Sequence, residues 1–381
     1  VPASVNADAD MRGPSADPVA AGRWARVDVD AVAIEHNVRV LRRRSAPADV
    51  WAVVKADGYG HGAVVAARAA LRAGAAGLCV ALVAEGVELR SAGIDAPILL
   101  LSEQPVDQID DVLRHRLTPS VYTPAAVHAL ADRADGPVAV HVNIDTGMQR
   151  VGAQPDHIGP LASALRDRGD TVTVAGVYTH LACADEPDHD ANRHQLERFD
   201  EVLAGLRQVG VSFVCEHAAN SAAALALPDA RRSFVRAGIA LYGISPGSGV
   251  DHLCEELRPA LTLSARVSYV KRVAAGSHVS YGWRHRFDRD TTLVTVPLGY
   301  ADGVPRRLGT IVDGAGGRAG ADVLVAGRRR PIVGVVTMDQ FMVDAGDLTV
   351  AAGDEVVLIG EQGGDRIRAE DWAQRLGTIG Y

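Results

Sequence analysis

The chain has 381 residues, 48% of them hydrophobic and 23% charged, enough for two domains or one large barrel with an appendage. Its net charge is −8 with no long basic block, which argues against nucleic acid as a partner, and no apolar run approaches the ~18 residues of a membrane span. Cys79, Cys183, Cys215 and Cys254 are scattered with no CxxC pair, which points to reduced thiols and a cytoplasmic protein rather than a disulfide framework.

Residues 1–22 are rich in Ala, Asp, Pro, Ser and Gly and lack an apolar h-region, so they read as a disordered leader and not as a signal peptide. From Trp51 short apolar runs alternate with amphipathic stretches. The pattern predicts strands at 51–55, 78–81, 98–101, 118–121, 138–144, 173–179, 213–217 and 234–242. Helices are predicted between them, among others at Ala63–Ala73, Pro124–Arg133 and Arg193–Val209. Eight strand–helix units fit a closed (β/α)8 barrel better than an open doubly wound sheet. Polar residues fall just after the strand ends: Lys55, Arg150, His180 and Asn220–Ser221, with Arg236 close by. In a parallel barrel all of these crowd one rim.

The texture changes near Pro259. Beyond it the runs are strand-like: Leu261–Val273, Thr291–Pro297, Val323–Val325, Ile332–Val336 and Glu355–Ile359. Glycine-rich turns separate them, and the run Asp313–Gly320 reads as a hairpin loop. The chain reaches Tyr381 just after a helix-like segment, Ala369–Leu376, which suggests that the domain stops in mid-pattern. The expected organisation is therefore a leader at 1–22, a barrel at 23–258 and a mostly β domain at 259–381.

Each polar cluster has a plain reading beside a chemical one. Lys55 closes the run Trp51–Lys55 and opens a glycine-rich turn, Ala56–Gly62. In a half-dry pocket its amine loses a proton readily and can form a Schiff base; otherwise it is a solvated lysine ending a core strand. Tyr281, in Ser280-Tyr-Gly282 at a strand end, is a packing tyrosine with a wet hydroxyl or a functional group. Asp145–Arg150 puts an acid and a base around a tight turn, either a strand-ending turn with a local ion pair or a functional pair. Ser221 is an ordinary N-cap or a phosphate ligand. The glycines of Arg236–Gly243 would let a phosphate approach the backbone. The His180, Asp185, Asp188, His189 and His194 stretch has no HExxH-type spacing, so a solvated loop and helix is preferred and no metal is expected.

Taken together, the motifs resemble those of the bacterial alanine racemases, fold-type III enzymes that use pyridoxal phosphate. Six stand in order over nearly the whole chain: Val54–Gly62, Asp145–Arg150, Tyr178–Ala182, Asn220–Ala222, Arg236–Gly243 and Val279–Gly282. Leu298–Gly303 and Thr337–Asp339 extend the match. The resemblance implies interconversion of L-alanine and D-alanine, with D-alanine supplied to cell-wall peptidoglycan. It implies that Lys55 holds pyridoxal 5'-phosphate covalently and shares acid–base work with Tyr281, which reaches in from the partner subunit of a homodimer. A racemase needs two such groups because the proton leaves one face of Cα and returns to the other. His180 would activate Tyr281 and be tied in turn to Arg236, which would face the pyridine nitrogen. A guanidinium does not surrender its proton, so that nitrogen would stay unprotonated. Tyr59, Ser221, Gly238, Ile239 and Tyr381 would hold the phosphate. Arg150 and the Met338 backbone would bind the substrate carboxylate, and Tyr300 and Arg306 would line the corridor to the site.

Three positions depart from the resembled pattern. Asn143 replaces a lysine that is often carbamylated, Gln149 replaces a glycine, and a final strand past Tyr381 is missing. The first leaves Arg150 without an orienting anion. Either chloride fills the gap, held by the Asn143 amide and Arg150, or the asparagine bonds Arg150 directly with water between. Rival functions are a broader-specificity or serine racemase, a decarboxylase of the same fold, and a non-catalytic pyridoxal phosphate-binding barrel. The β domain counts against the last.

Overall fold

The computed structural model describes residues 22–312 and 317–381. The expected leader lies outside the described residues but for its last position, as do residues 313–316 of the glycine-rich turn. Ile311 and Arg318, which flank that turn, form an antiparallel bridge. The chain divides into two compact units, one of residues 31–258 and one that joins residues 259–381 to the segment ending at Asp30.

Residues 31–258 form a (β/α)8 barrel. Its strands are Asp49–Val53, Gly77–Val80, Ile98–Leu100, Ser120–Val121, Val138–Asn143, Val172–Tyr178, Cys215–His217 and Phe234–Ala237. Neighbours pair in parallel within two four-stranded sheets, and Phe234–Ala237 pairs with Asp49–Val53. A parallel Leu99–Thr118 bridge joins the sheets on one side. On the other, Ser233 N–H donates to Glu216 O at 2.9 Å and Arg236 N–H to Ala219 O at 2.9 Å, which closes the ring. Strands covered on both faces read as unbroken apolar runs, and Ile98-Leu-Leu100 is fully buried. The surrounding helices bury one stripe each. In Asp190–Gln208 the buried residues are Asn192, Gln195, Phe199, Val202, Leu203 and Leu206, at helical spacing. Thr123 caps Pro124–Arg133 by accepting from Ala126 N–H at 3.2 Å.

Three details differ from the sequence reading. The eighth strand stops at Ala237, and Ile239–Tyr242 is a 3-10 turn, because the chain must bend where Gly238 gives it no side chain. The helix expected at Arg193 starts at Asp190, capped by the His189 ring, which accepts from Ala191 N–H at 3.1 Å. The boundary expected at residue 23 falls instead at Ala31. Ala25–Val29 alternates apolar and polar residues and pairs antiparallel with Leu261–Arg266, so this strand belongs to the β unit.

The β unit is one antiparallel sheet plus a short hairpin, His278–Val279 with His285–Arg286. The run read as Leu261–Val273 is two strands with different partners: Leu261–Arg266 pairs with Glu355–Gln362, and Tyr269–Val273 with Thr291–Val296. Val294, Val296, Ile332, Phe341, Val343, Val356 and Leu358 belong to its core. The helix Ala369–Leu376 ends at Gly377, whose left-handed φ of 66° closes the last turn.

Candidate active site

The barrel brings Lys55, Tyr59, Arg150, His180, Ser221, Arg236, Gly238 and Ile239 into one unit. Each follows or sits in the C-terminal part of a strand, the rim where barrels of this kind carry their chemistry. Lys55 leaves the strand Asp49–Val53 half-buried. Burial lowers its proton affinity and the Arg150 guanidinium lowers it further; Glu85 acts against them. The Cys79 thiol is buried and pushed up to about 12, so it stays neutral and adds no charge beside the amine.

The chain then makes a left-handed turn. Ala56, Asp57, Gly58, Tyr59 and Gly60 have φ of 52°, 51°, 61°, 56° and 79°. The left-handed conformation costs about 1–2 kcal/mol for each residue that carries a Cβ, so Ala56, Asp57 and Tyr59 need outside support. Glu85 Oε1 accepts from Ala56 N–H at 2.6 Å. Asp57 Oδ1 accepts from Ala63 N–H at 2.8 Å. His61 Nδ1 lies 3.1 Å from Gly58 O and 3.0 Å from Tyr59 O, so it is the protonated ring nitrogen. A hydrogen bond to a charged acceptor contributes about 1.5–3 kcal/mol and a neutral one about 1, which is the scale of the strain.

Arg236 is buried at the end of the last strand. Its guanidinium donates to His217 Nδ1 at 2.5 Å, to Thr179 O at 2.7 Å and to Ala218 O at 3.1 Å, with His180 Nδ1 at 3.5 Å. All of these acceptors are neutral. Because a guanidinium only donates, His217 Nδ1 carries no proton and its Nε2–H points to His141 Nδ1 at 2.8 Å. The rings form a layer inside the barrel: Trp51 stacks on Phe234 at 4.6 Å, and His217 lies against Phe234 at 4.1 Å and Tyr178 at 4.7 Å. Desolvation, then Arg236, drives the histidines toward the neutral form, His141 to about 4 and His180 to about 3. A cation buried among neutral acceptors favours an anion or an acceptor lone pair beside it.

A cluster of neutral donors lies just past the same strand end, facing the loop after Cys215–His217. Gly238 N–H and Ala240 N–H both donate to Ser221 Oγ, at 2.8 and 3.3 Å. A Cβ on Gly238 would meet the Tyr59 hydroxyl at 2.6 Å, so only glycine lets the two approach. The cap of the helix Ser221–Ala226 is Asn220, which accepts from Ala223 N–H at 3.0 Å, and not Ser221. Ser221 is thus left to the 238–240 loop. This set of hydroxyls and backbone N–H groups, with an acceptor-seeking Arg236 and a readily deprotonated lysine, fits a phosphorylated pyridine aldehyde.

The Asp145–Arg150 turn is not the local ion pair of the plain reading. Asp145 is buried and accepts from Gly147 and Gln149 N–H, both at 3.0 Å, while Arg150 is exposed. Asn143 is buried at the end of its strand.

Tyr281, Tyr300, Arg306, Met338 and Tyr381 lie in the β unit. Tyr281 sits in a turn in which Ser280, Gly282 and Trp283 have φ of 65°, 74° and 51°, and it is 70% exposed. Trp283 stacks on His278 at 5.1 Å. Tyr300 N–H donates to Thr337 O at 3.0 Å and Ala301 N–H to Met338 O at 3.0 Å, so two loops carry Tyr300 and Met338 together. Arg306 and Tyr381 are exposed.

Sequence reasoning passed over His141, His217, Gln195 and Glu85. Gln195 donates to His180 O at 3.0 Å and Thr146 Oγ1 at 3.3 Å, which ties the loop after Tyr178 to the Asp145 turn. The available signal was a polar side chain where apolar ones were expected: His141 in the buried half of its strand, His217 at a strand end, and Gln195 on the buried stripe of its helix.

A (β/α)8 barrel with a lysine at one strand end and a cluster of neutral donors at another, followed by a mostly β unit, fits a pyridoxal phosphate enzyme of the barrel type. Residues 29–246 match the family described as alanine racemase, N-terminal domain, and residues 260–381 its C-terminal domain. The alanine racemase of Thermobifida fusca is 46% identical over 362 residues, 94% of this chain and 93% of that protein. That of Symbiobacterium thermophilum is 47% identical, with the same coverage. The structure of alanine racemase from Streptomyces coelicolor A3(2) superposes with a TM-score of 0.87 at 40% identity, covering 94% of each chain. The Bacillus anthracis enzyme, solved with bound L-Ala-P, gives 0.86 at 37% identity, covering 94% of this chain and 92% of that one. The chain belongs to the alanine racemase family and is a pyridoxal phosphate-dependent amino-acid racemase.

Proposed function

We propose that the chain interconverts L-alanine and D-alanine with Lys55 and Tyr281 as its two acid–base groups, in a homodimer in which Tyr281 of one chain serves Lys55 of the other. The observation that carries this reading is Lys55 itself, a half-buried amine at a barrel strand end whose proton affinity is lowered by desolvation and by Arg150. Pyridoxal phosphate, when bound, supplies an electron sink for the pair left on the substrate Cα.

The chain supplies position and proton transfer. Tyr59, Ser221, Gly238 and Ile239, joined by Tyr381, hold the phosphate with uncharged donors. Arg236, which does not readily give up its proton, would face the pyridine nitrogen and leave it unprotonated, so the bound cofactor would be a weaker electron sink with fewer side reactions. Neutral His180 faces Arg236 through Nδ1, which leaves Nε2–H to stabilise the Tyr281 phenolate. Arg150 and the Met338 backbone orient the substrate carboxylate, and Tyr300 and Arg306 line the way in. Chloride between the buried Asn143 amide and Arg150 would replace the missing carbamate charge. The exposed Tyr281, Trp283 and Met338 support an interface between copies of the chain. None of the four cysteines is in a disulfide, which supports a reducing, cytoplasmic setting; the D-alanine made there would pass to peptidoglycan.

Mixed dimers test the assignment. Lys55→Ala and Tyr281→Phe chains, each strongly impaired alone, should regain part of the activity when mixed, since one of the two sites is then intact. No recovery, or full activity of a monomer in sedimentation at assay concentration, would overturn the shared site. Racemisation rates for L-alanine and L-serine measured on the parent protein fix the substrate.

A further inference from the structure

We propose that Glu85 is a positioning residue for Lys55: its carboxylate anchors the first residue of the left-handed turn after the lysine and thereby fixes how the amine leaves the strand. The inference rests on the reading of Lys55 as the cofactor-bearing group.

Glu85 lies in the first turn of the helix Val83–Ser91, in the loop region that follows the neighbouring strand Gly77–Val80. Its carboxylate works in two directions. Oε2 accepts from Ala81 N–H at 2.8 Å and from Leu82 N–H at 3.1 Å, which is ordinary helix-start chemistry. Oε1 reaches across to Ala56 N–H at 2.6 Å, on the other side of the strand pair. A residue needed only to begin its helix has no use for that second bond.

The far end of the turn has its own fastenings in Asp57 and His61. At the lysine end the Ala56 amide is held by Glu85, and Ala56 already has φ 52°. Without that bond Ala56 can relax to a right-handed conformation, and both Lys55 and Tyr59 change direction, since they flank the same turn. Glu85 also acts by charge. Of the groups around Lys55, Arg150 repels a proton on the amine, Cys79 stays a thiol and His180 stays neutral. Glu85 is the charge that opposes Arg150.

Glutamine at this position cannot reproduce the arrangement. Its single oxygen can serve Ala81 and Leu82 or Ala56, and its amide group then meets the other N–H donor to donor. Aspartate keeps the charge but is one methylene too short to serve both loops.

The test uses the full chain stripped of cofactor and re-supplied with pyridoxal phosphate, with borohydride trapping and peptide mapping across pH. In Glu85→Gln, capture at Lys55 should slow roughly tenfold, and the midpoint of its pH dependence should fall by roughly one unit, the scale of a lost neighbouring charge. Glu85→Asp should restore the midpoint but not the rate. A glutamine variant with the parental midpoint and a rate within twofold, changed only in thermal stability, would reduce Glu85 to a helix starter. If that variant does not fold, Glu85→Asp decides, and a parental capture rate there overturns the proposal. A parent chain that captures the cofactor on a different lysine sinks the reading of Lys55 itself, an outcome distinct from the others.

Discussion

The two units of the chain use their interiors in opposite ways. The barrel buries Arg236, His141, His217, Ser120 and Thr179 among its strands, groups that fold no better for being there. The β unit fills its core with Val294, Ile332, Phe341, Val343 and Leu358, and turns Tyr281, Trp283 and Met338 outward. Polar groups inside a barrel set proton affinities, whereas aromatic groups on loops of a firm sheet are placed to touch something else. The barrel thus spends stability on electrostatics, and the β unit provides a rigid mount.

The comparison is broken most severely at Lys55. Lys55→Ala should abolish covalent attachment of the cofactor and cut racemisation by roughly 10⁴-fold or more, because both binding and proton transfer fall together. Borohydride reduction with peptide mapping checks the first and a coupled rate assay the second. Attachment persisting in the variant would remove the central assignment. Tyr281→Phe should cost less, roughly 10²–10⁴-fold, the span of one acid–base group. The loss should be asymmetric: abstraction from L-alanine suffers in this variant, and abstraction from D-alanine when Lys55 is replaced. Equal solvent-deuterium incorporation from both enantiomers in Tyr281→Phe would contradict the two-base scheme.

How much of this was legible depended on which signal each element carries. Eight apolar runs bounded by turns located all eight barrel strands, since strands covered on both faces leave an unbroken apolar signature, but not their ends: the first starts at Asp49 and the last stops at Ala237. Ala25–Val29 escaped because its signature is alternation, five residues long, next to a polar leader. The rim residues were legible from their motifs. Their supports were not: Glu85, Gln195, His141 and His217 are remote in sequence from what they hold, and only folding brings Glu85 to Ala56 or His217 to Arg236. The left-handed turn was hidden for a related reason. Glycine at 58, 60 and 62 allows positive φ, yet nothing local demands it of Ala56 or Tyr59.

The β unit's core sharpens the contrast. Phe341 is fully buried, so Phe341→Ala should lower unfolding stability by about 3–5 kcal/mol, read from denaturant melts of the whole chain. Cofactor capture by Lys55 in the barrel should be unaffected at temperatures where the variant remains folded. A loss of capture without a loss of stability would mean that the core of the β unit serves more than mounting.

The smallest effect tests the barrel interior through pH. Burial and Arg236 depress His141 to about 4 in the folded chain, against an ordinary value near 6.5. The unfolded chain therefore binds an extra proton between about pH 6.5 and 4, and stability falls as pH drops through that window, while above it this group contributes no slope. A shift of that size is worth about 3 kcal/mol once pH is below 4, to which His180 and His217 add in the same direction. His141→Gln keeps an acceptor for the His217 N–H and removes the titration. The variant should lose little stability near pH 8 and should show a shallower decline below pH 6.5 than the parent, measured by urea midpoints at a series of pH values. Parent and variant share every other titrating group, so the difference between their two slopes isolates His141. If the decline between pH 6.5 and 4 is unchanged in the variant, His141 is not held neutral by its place beside His217 and Arg236.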